Sequence, residues 1–580
     1  MEKSFWQKRI SRRRLLGGVS SLAIVGSGAR FLPRVSLPRP AMSHSDDFII
    51  AEDIRHNASD LAWGQLTNLS WDESATEPVL RAASSSGGLL NSTVVKTSFP
   101  ATHIGLHWTA DADGPAPISF DVRTASDGSA WGDWQTVPIE AEPDDNPTGE
   151  RFGTLVWARN ARYVEYRANF PTDSTPDATA LKNVTITAIS ASPSSTMQAT
   201  RATRTPTPSS RSTPQAIRDA GELEPPFGSD RLITREQWGA PESYRFNSSG
   251  NEIWPRQYIP TKKIVVHHTA TLTNSNPQDP SYPYPSYAAD QAVQDIRAIY
   301  YYHAINLGWG DIGYNALIDR FGRIFEGRRG RDSGPGGGRE IISPDVVAGH
   351  ALNCNEGSAG VSCLGNYDEN QIGSGEQLLL STLAEVIAWW CRRHYIEPDE
   401  SSDFLEVNWA WVMNLPNICG HRDVNFTACP GQYLYPYLPS IRNAVVSLVE
   451  DQAIIKPGVT LTSLPTQTDI DAGAATFSWN SSDSGVEYSY YLEGWNPNLA
   501  TDKEDYVCGF TSDKRPDWSS WSSITSVTLK PSQAGHYTFH VRARNSKTDG
   551  AYEDNWTFVP KAKKQQRTPG PVGVPGVVRF

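Results

Sequence analysis

Lys263-Ile264-Val265-Val266-His267-His268-Thr269-Ala270 is the stretch around which the rest of the chain can be organised. Its β-branched run has the composition of a buried strand. Two histidines close it, and successive strand residues point to opposite faces, so at most one of His267 and His268 faces a given site. A second segment, Cys419-Gly420-His421-Arg422-Asp423-Val424-Asn425-Phe426-Thr427-Ala428-Cys429-Pro430-Gly431, supplies partners. His421 and Cys429 are eight residues apart, enough for a loop to curl back to one point. One histidine from the strand, His421 and Cys429 form a donor set of the softness that suits zinc. Three protein ligands leave a fourth position open, as in catalytic rather than structural sites. A core histidine and a cysteine packed before Pro430-Gly431 are the other reading of the same residues.

Helical periodicity surrounds this strand. Val293, Ile296 and Tyr300 recur along Gln291–His303. Leu379, Leu383, Val386 and Trp390 form an apolar stripe after Ser374 and Gln377, which have the spacing of a capping box. Residues 229–452 hold most of the helical signal of the chain and five of its six cysteines. The flanks differ. In residues 45–191, Ile104, Leu106 and Trp108 fall on one strand face and Gly105, His107 and Thr109 on the other, with turns such as Asp127-Gly128-Ser129 between runs. An all-β sandwich is expected there, with Trp131 and Trp134 as core residues or sugar-stacking rings. Residues 192–228, rich in Ser, Thr, Pro and Arg, read as a linker. Residues 457–560 return to strand alternation. Their run from Gly535 to Asn545, with Trp479 for an inner core, resembles part of a fibronectin type III domain. Residues 561–580 read as a disordered tail.

The 580 residues carry 52 Lys and Arg against 64 Asp and Glu, a formal charge of −12, which argues against a nucleic-acid partner. Nineteen Trp, 22 Tyr and 18 Phe are ample for packed cores, so disorder throughout is excluded. Residues 1–29 read as an export signal, with basic Lys3, Lys8 and Arg9, then Arg12-Arg13-Arg14-Leu15-Leu16, an apolar stretch to Val25 and small Ser27-Gly28-Ala29. The arginines before Leu-Leu resemble a twin-arginine signal. No other segment has about 18 uninterrupted apolar residues. The mature protein is therefore expected to be secreted or associated with the cell envelope, without a transmembrane segment.

Further motifs extend the central reading in order. They are Ile233-Thr234-Arg235-Glu236-Gln237-Trp238-Gly239-Ala240, the strand from Ile264 to Thr271, Gly308-Trp309-Gly310-Asp311-Ile312-Gly313-Tyr314-Asn315 and Gly322-Arg323-Ile324-Phe325-Glu326-Gly327-Arg328. Gly349-His350-Ala351 with Asn355, Ser358, Gly360 and Gly365-Asn366-Tyr367 follows, and Gly420 to Gly431 closes the set. Together, over residues 229–445, they resemble the type 2 N-acetylmuramoyl-L-alanine amidases and the peptidoglycan recognition proteins. The resemblance implies a mixed β-sheet flanked by helices. The whole is then multidomain: a central α/β amidase domain between an N-terminal all-β sandwich and a C-terminal fibronectin type III-like β-sandwich.

The resemblance also implies a chemistry. His267, His421 and Cys429 would hold Zn2+, and His268 would be a core residue or lie behind the ligands. Tyr314 and Thr427 would be catalytic, Thr427 standing where some relatives carry a lysine. Trp309, His350 and Asn355 would lie in the substrate groove. The implied reaction is hydrolysis of the amide between N-acetylmuramic acid and L-alanine, with Tyr314 donating to the oxyanion. Peptidoglycan or muropeptides are the implied partners, and a monomer is expected. Relatives that only bind typically lack the cysteine that this chain keeps. A non-catalytic peptidoglycan-binding recognition or adhesion protein is the alternative. Asp311 and Asp423 are read first as structural ion pairs and Glu326 as a hairpin residue. Where many recognition proteins have Gly-Trp after Glu-Gly-Arg, this chain has Arg329-Gly330-Arg331, so the stem-peptide preference stays open.

Overall fold

The computed structural model describes residues 49–191, 225–449 and 459–558, apart from 74–76, 113–116, 142–148, 173–178, 258–260, 272–288, 331, 334–337, 374–375, 395, 406–411, 483, 496–518, 531–535 and 545–551. The expected export signal, most of the linker, Ser374 and the C-terminal tail lie outside the described residues.

The central sheet has six strands, in the order Leu232–Ile233, Ile324–Glu326, Ala316–Ile318, Ser358–Cys363, Lys263–His268, Ile418–Gly420. Ala316–Ile318 and Ile324–Glu326 pair antiparallel, and the other pairings are parallel, so the sheet is mixed. Every residue of Lys263–His268 is buried, as expected of a strand covered on both faces. Ile264 and Val266 share a cluster with Leu379, Leu383, Val386 and Trp390 of the helix Gln377–His394 and with Ile441 and Val445 of the helix Leu438–Val449. The apolar stripe of the sequence is thus the buried helix face. Leu317, Phe325 and Leu364 point the other way and meet Val293, Ile296 and Tyr300 of the helix Ala289–Tyr301.

The N-terminal β region joins twelve strands in one hydrogen-bonded network. Ile104, Leu106 and Trp108 are buried with Phe120, Val122, Tyr166, Val184 and Ile186. The opposite face of the same strand is also covered. His103 and His107 are buried, and a Cβ on Gly105 would stand 2.7 Å from the Tyr302 ring. Ile49, Phe152, Leu155 and Ile189 of this region share a cluster with the Ala289–Tyr301 helix. Strand alternation identifies an apolar face; it does not reveal that a neighbouring domain covers the polar one. Of the two tryptophans weighed as sugar platforms, Trp131 has the Arg123 guanidinium 4.9 Å from its ring, and Trp134 has Arg123 and Arg167 at 4.6 and 4.7 Å.

The C-terminal β region forms two three-stranded sheets around Phe477, Trp479, Phe539 and Val541. Among the described residues, no helix is long and apolar enough to cross a membrane.

Candidate metal centre

Adjacent strand ends build the site. Lys263–His268 and Ile418–Gly420 run parallel with Val266 opposite Gly420, so the residues that follow, His267 and His421, emerge side by side. Their ring centroids are 4.4 Å apart. His421 opens the short helix His421–Val424, and Asp423 Oδ2 accepts the Gly420 N–H at 2.8 Å. The chain then turns back. Arg422 N–H donates to the Cys429 carbonyl at 2.9 Å, and the Thr427 hydroxyl accepts the Cys429 N–H at 3.2 Å. Gly431 completes the return at φ +97°, where a Cβ would meet the Tyr367 carbonyl carbon at 2.3 Å.

As a result, ligand atoms of His267, His421 and Cys429 lie within 4.8 Å of one another. His267 Nδ1 is 3.7 Å from Cys429 Sγ. Tetrahedral zinc with ordinary bond lengths separates a sulfur from a nitrogen ligand by about 3.6 Å, so the pair fits one ion. The remaining ring nitrogens are engaged outward: His267 Nε2 is 3.1 Å from His350 Nδ1, and His421 Nε2 is 3.1 Å from Asn425 Oδ1. That is how ligand histidines are usually oriented. The His268 N–H donates to Cys429 Sγ at 3.4 Å, a contact that favours a thiolate.

Electrostatics agrees with the donor set. Burial, reinforced by His421, His350 and His268, holds His267 well below the usual histidine range, and burial brings His421 down to about 4. Both are neutral at pH 7, as ligation requires. Burial pushes the Cys429 thiol up to about 12, so binding a metal there must expel a proton.

The other expected residues are distributed unevenly. Tyr314 is buried, its ring centroid 5.5 Å from that of His267. Burial, with the charges of Glu140 and Cys429 adding to it, raises the phenol well above its usual range, so it keeps its proton and can donate. Trp309 is half-buried and meets Trp254 edge-on at 6.5 Å. His350 is buried behind His267, its ring seated over Gly360, and Asn355 Oδ1 clamps that segment by accepting the N–H groups of His350 and Ala351 at 2.8 Å each. His268 turns to the other face of the sheet, where its Nδ1 accepts the Tyr367 N–H at 3.0 Å.

Asp311 belongs to a buried ion network with Arg235 at 2.9 Å, Arg328 at 3.1 Å and Arg245 at 3.5 Å. Asp423 accepts the Tyr435 hydroxyl at 2.6 Å, and Glu326 accepts the Arg235 N–H at 2.9 Å. Two residues beside the site were missed in sequence. Glu140 and His303 meet at 2.7 Å across a separation of 163 residues, for which no local pattern exists.

Residues 257–432 match the family model described as N-acetylmuramoyl-L-alanine amidase. Peptidoglycan-recognition protein SC2 of Drosophila melanogaster is 28% identical over 204 residues, 35% of this chain and 82% of that protein. Peptidoglycan recognition protein 1 of Mus musculus is 25% identical over 213 residues, 36% and 86% of the two chains. Among solved structures, wild-type Drosophila PGRP-LB aligns with 36% of this chain and 93% of its own at 21% identity and a TM-score of 0.25. N-acetylmuramoyl-L-alanine amidase LysC from Clostridium intestinale aligns with 33% and 88% at 20% identity and a TM-score of 0.21. The segment match and the sequence relatives support one family for the middle domain, that of the type 2 N-acetylmuramoyl-L-alanine amidases and peptidoglycan recognition proteins.

Proposed function

We propose that this chain is an exported, zinc-dependent N-acetylmuramoyl-L-alanine amidase that cuts the amide between N-acetylmuramic acid and L-alanine in peptidoglycan. The observation that carries the reading is the convergence of His267, His421 and Cys429 within 4.8 Å, a donor set suited to zinc. When bound, zinc supplies a Lewis acid for the amide carbonyl and lowers the pKa of water to about 7.

The chain's own residues supply the rest. Tyr314, its proton retained, donates a hydrogen bond to the carbonyl oxygen as charge develops there. A donor of this kind contributes about 3 kcal/mol. His350 orients His267, and the Thr427 hydroxyl holds the loop that carries Cys429. Trp309 and Trp254 offer aromatic surface to the substrate. In this reading the N-terminal region is a β-sandwich and the C-terminal region a fibronectin type III-like module, and a twin-arginine signal directs export.

A second reading is peptidoglycan binding without turnover. It is favoured by the names of the sequence relatives, which are recognition proteins. Mass spectrometry of muropeptides incubated with the full-length protein separates the two. Free peptides beginning with L-alanine support the amidase. Intact muropeptides that co-purify with the protein support recognition alone.

A further inference from the structure

The contact between the N-terminal β region and the central domain reaches the site itself. Its outer part is a covered polar face: His103 Nε2 lies 2.9 Å from Asp295 Oδ1, both fully buried, and the Tyr302 hydroxyl donates to the Leu106 carbonyl at 3.1 Å. From the short strand Ile139–Ala141, Glu140 extends further inward, its Oε1 2.7 Å from His303 Nε2. This pair is largely dry, with side-chain exposures of 17% and 2%.

His303 lies in the π-helical turn Tyr302–Asn306 that follows the helix Ala289–Tyr301. Its Nδ1 accepts the Gly313 N–H at 3.1 Å. A nitrogen that accepts cannot carry the proton, so Nε2 carries it and donates to Glu140. The same ring packs 5.8 Å from Tyr314 and 4.9 Å from Trp309, centroid to centroid. Glu140 and Tyr314 also line one small cavity, together with Leu155, Thr269, Thr271 and Ile299.

We propose that Glu140 is a positioning residue of the active site, supplied by the N-terminal β region: through His303 it fixes the Gly313–Tyr314 segment and so the Tyr314 hydroxyl. Its catalytic consequence rests on the amidase reading above. The N-terminal region is then part of the working unit and not a spacer. Without the carboxylate, the His303 ring loses the partner that sets its tautomer and orientation, and Gly313 loses a defined acceptor. A displacement of about 1 Å at a catalytic group can cost on the order of 100-fold in rate.

The test uses the full-length zinc-loaded protein and the variants Glu140→Ala, Glu140→Gln and Tyr314→Phe, with muropeptide as substrate. Glu140→Ala is expected to lower kcat by about 10- to 100-fold, with KM, zinc content and melting temperature near wild type. Glu140→Gln, whose amide oxygen still accepts from His303, should recover most of the loss. Combined with Tyr314→Phe, Glu140→Ala should cost nothing more, because it acts through that hydroxyl. Wild-type kcat in Glu140→Ala, or a full additional loss in the double variant, overturns the proposal. If wild type releases no peptide, the amidase reading fails separately, and positioning is read by hydrogen exchange over residues 308–316. Faster exchange of the Gly313 amide in Glu140→Ala supports positioning; unchanged exchange overturns it.

Discussion

Gly360→Ala perturbs the candidate metal site without touching a ligand. Gly360 lies in the strand Ser358–Cys363, and a Cβ there would stand 2.4 Å from His350 Cγ, 2.5 Å from Cδ2 and 2.9 Å from Nδ1. Ordinary carbon contacts begin near 3.5 Å, so the ring must retreat by about 1 Å. The strand has little freedom to give way. The Gly360 N–H donates to Asn315 Oδ1 at 2.8 Å, and its carbonyl accepts the Asn315 N–H at 2.9 Å. With His350 Nδ1 only 3.1 Å from His267 Nε2, a retreat of about 1 Å breaks that hydrogen bond.

Loss of such an outer partner lowers metal affinity by about 10- to 100-fold, or about 1.4–2.7 kcal/mol. Competition with a chromophoric chelator measures the affinity, and a thermal melt verifies the fold. Gly360→Ala should melt cooperatively and bind zinc about 10- to 100-fold more weakly, and His350→Ala should show a similar loss. The double variant should bind no more weakly than His350→Ala, because the clash disappears with the ring. Wild-type affinity in folded Gly360→Ala, or additive losses in the double variant, would refute the role given to His350.

Other consequences are equally direct. Tyr314→Phe should retain zinc and lower kcat by about 100-fold or more, as loss of an oxyanion donor does; zinc content that falls with activity contradicts that role. Zinc affinity should rise about tenfold per pH unit between about pH 5 and 8. His267 and His421 are already neutral there, so binding releases the single proton of the Cys429 thiol; a slope near zero or near two contradicts this.

Asp311→Asn should lower stability by about 3–5 kcal/mol, because Arg235 and Arg328 stay buried beside a neutral group. Burial opposes ionisation of Asp311, but Arg235, Arg328 and Arg245 outweigh it and hold its carboxyl below the usual range. The stabilisation is therefore complete above the ordinary carboxylate pKa of about 4 and is lost as pH falls through the lower folded value. Equal melting temperatures for wild type and Asp311→Asn at pH 7 contradict this reading of the network.

What the sequence disclosed follows from the range of its signals. The Lys263–His268 strand and the Leu379, Leu383, Val386 and Trp390 stripe are local periodicities, and they fold as read. The alternation of His267 and His268 across the strand separates one histidine that faces Cys429 from one that accepts the Tyr367 N–H on the other side. What stayed hidden depends on contacts between distant segments. The resemblance offers His350 as a groove residue, but its packing over Gly360 and against His267 joins segments far apart in the chain and carries no local pattern. The polar positions His103 and Gly105 have the pattern of a wet surface, yet they are covered by Asp295 and Tyr302, almost 200 residues later, while His107 is covered within its own region by Glu150 and Phe152. Glu140 sits in a three-residue strand, too short for any periodic signal.

The central claim is a zinc amidase built on His267, His421 and Cys429, and one paired measurement tests it most directly. Metal content of the purified full-length protein is determined alongside mass spectrometry of its peptidoglycan digest, for wild type and for Cys429→Ser. The account predicts about one zinc per wild-type chain and released peptides beginning with L-alanine, with both lost in Cys429→Ser. Peptidoglycan left intact by zinc-loaded wild type, or full activity in Cys429→Ser, would contradict it.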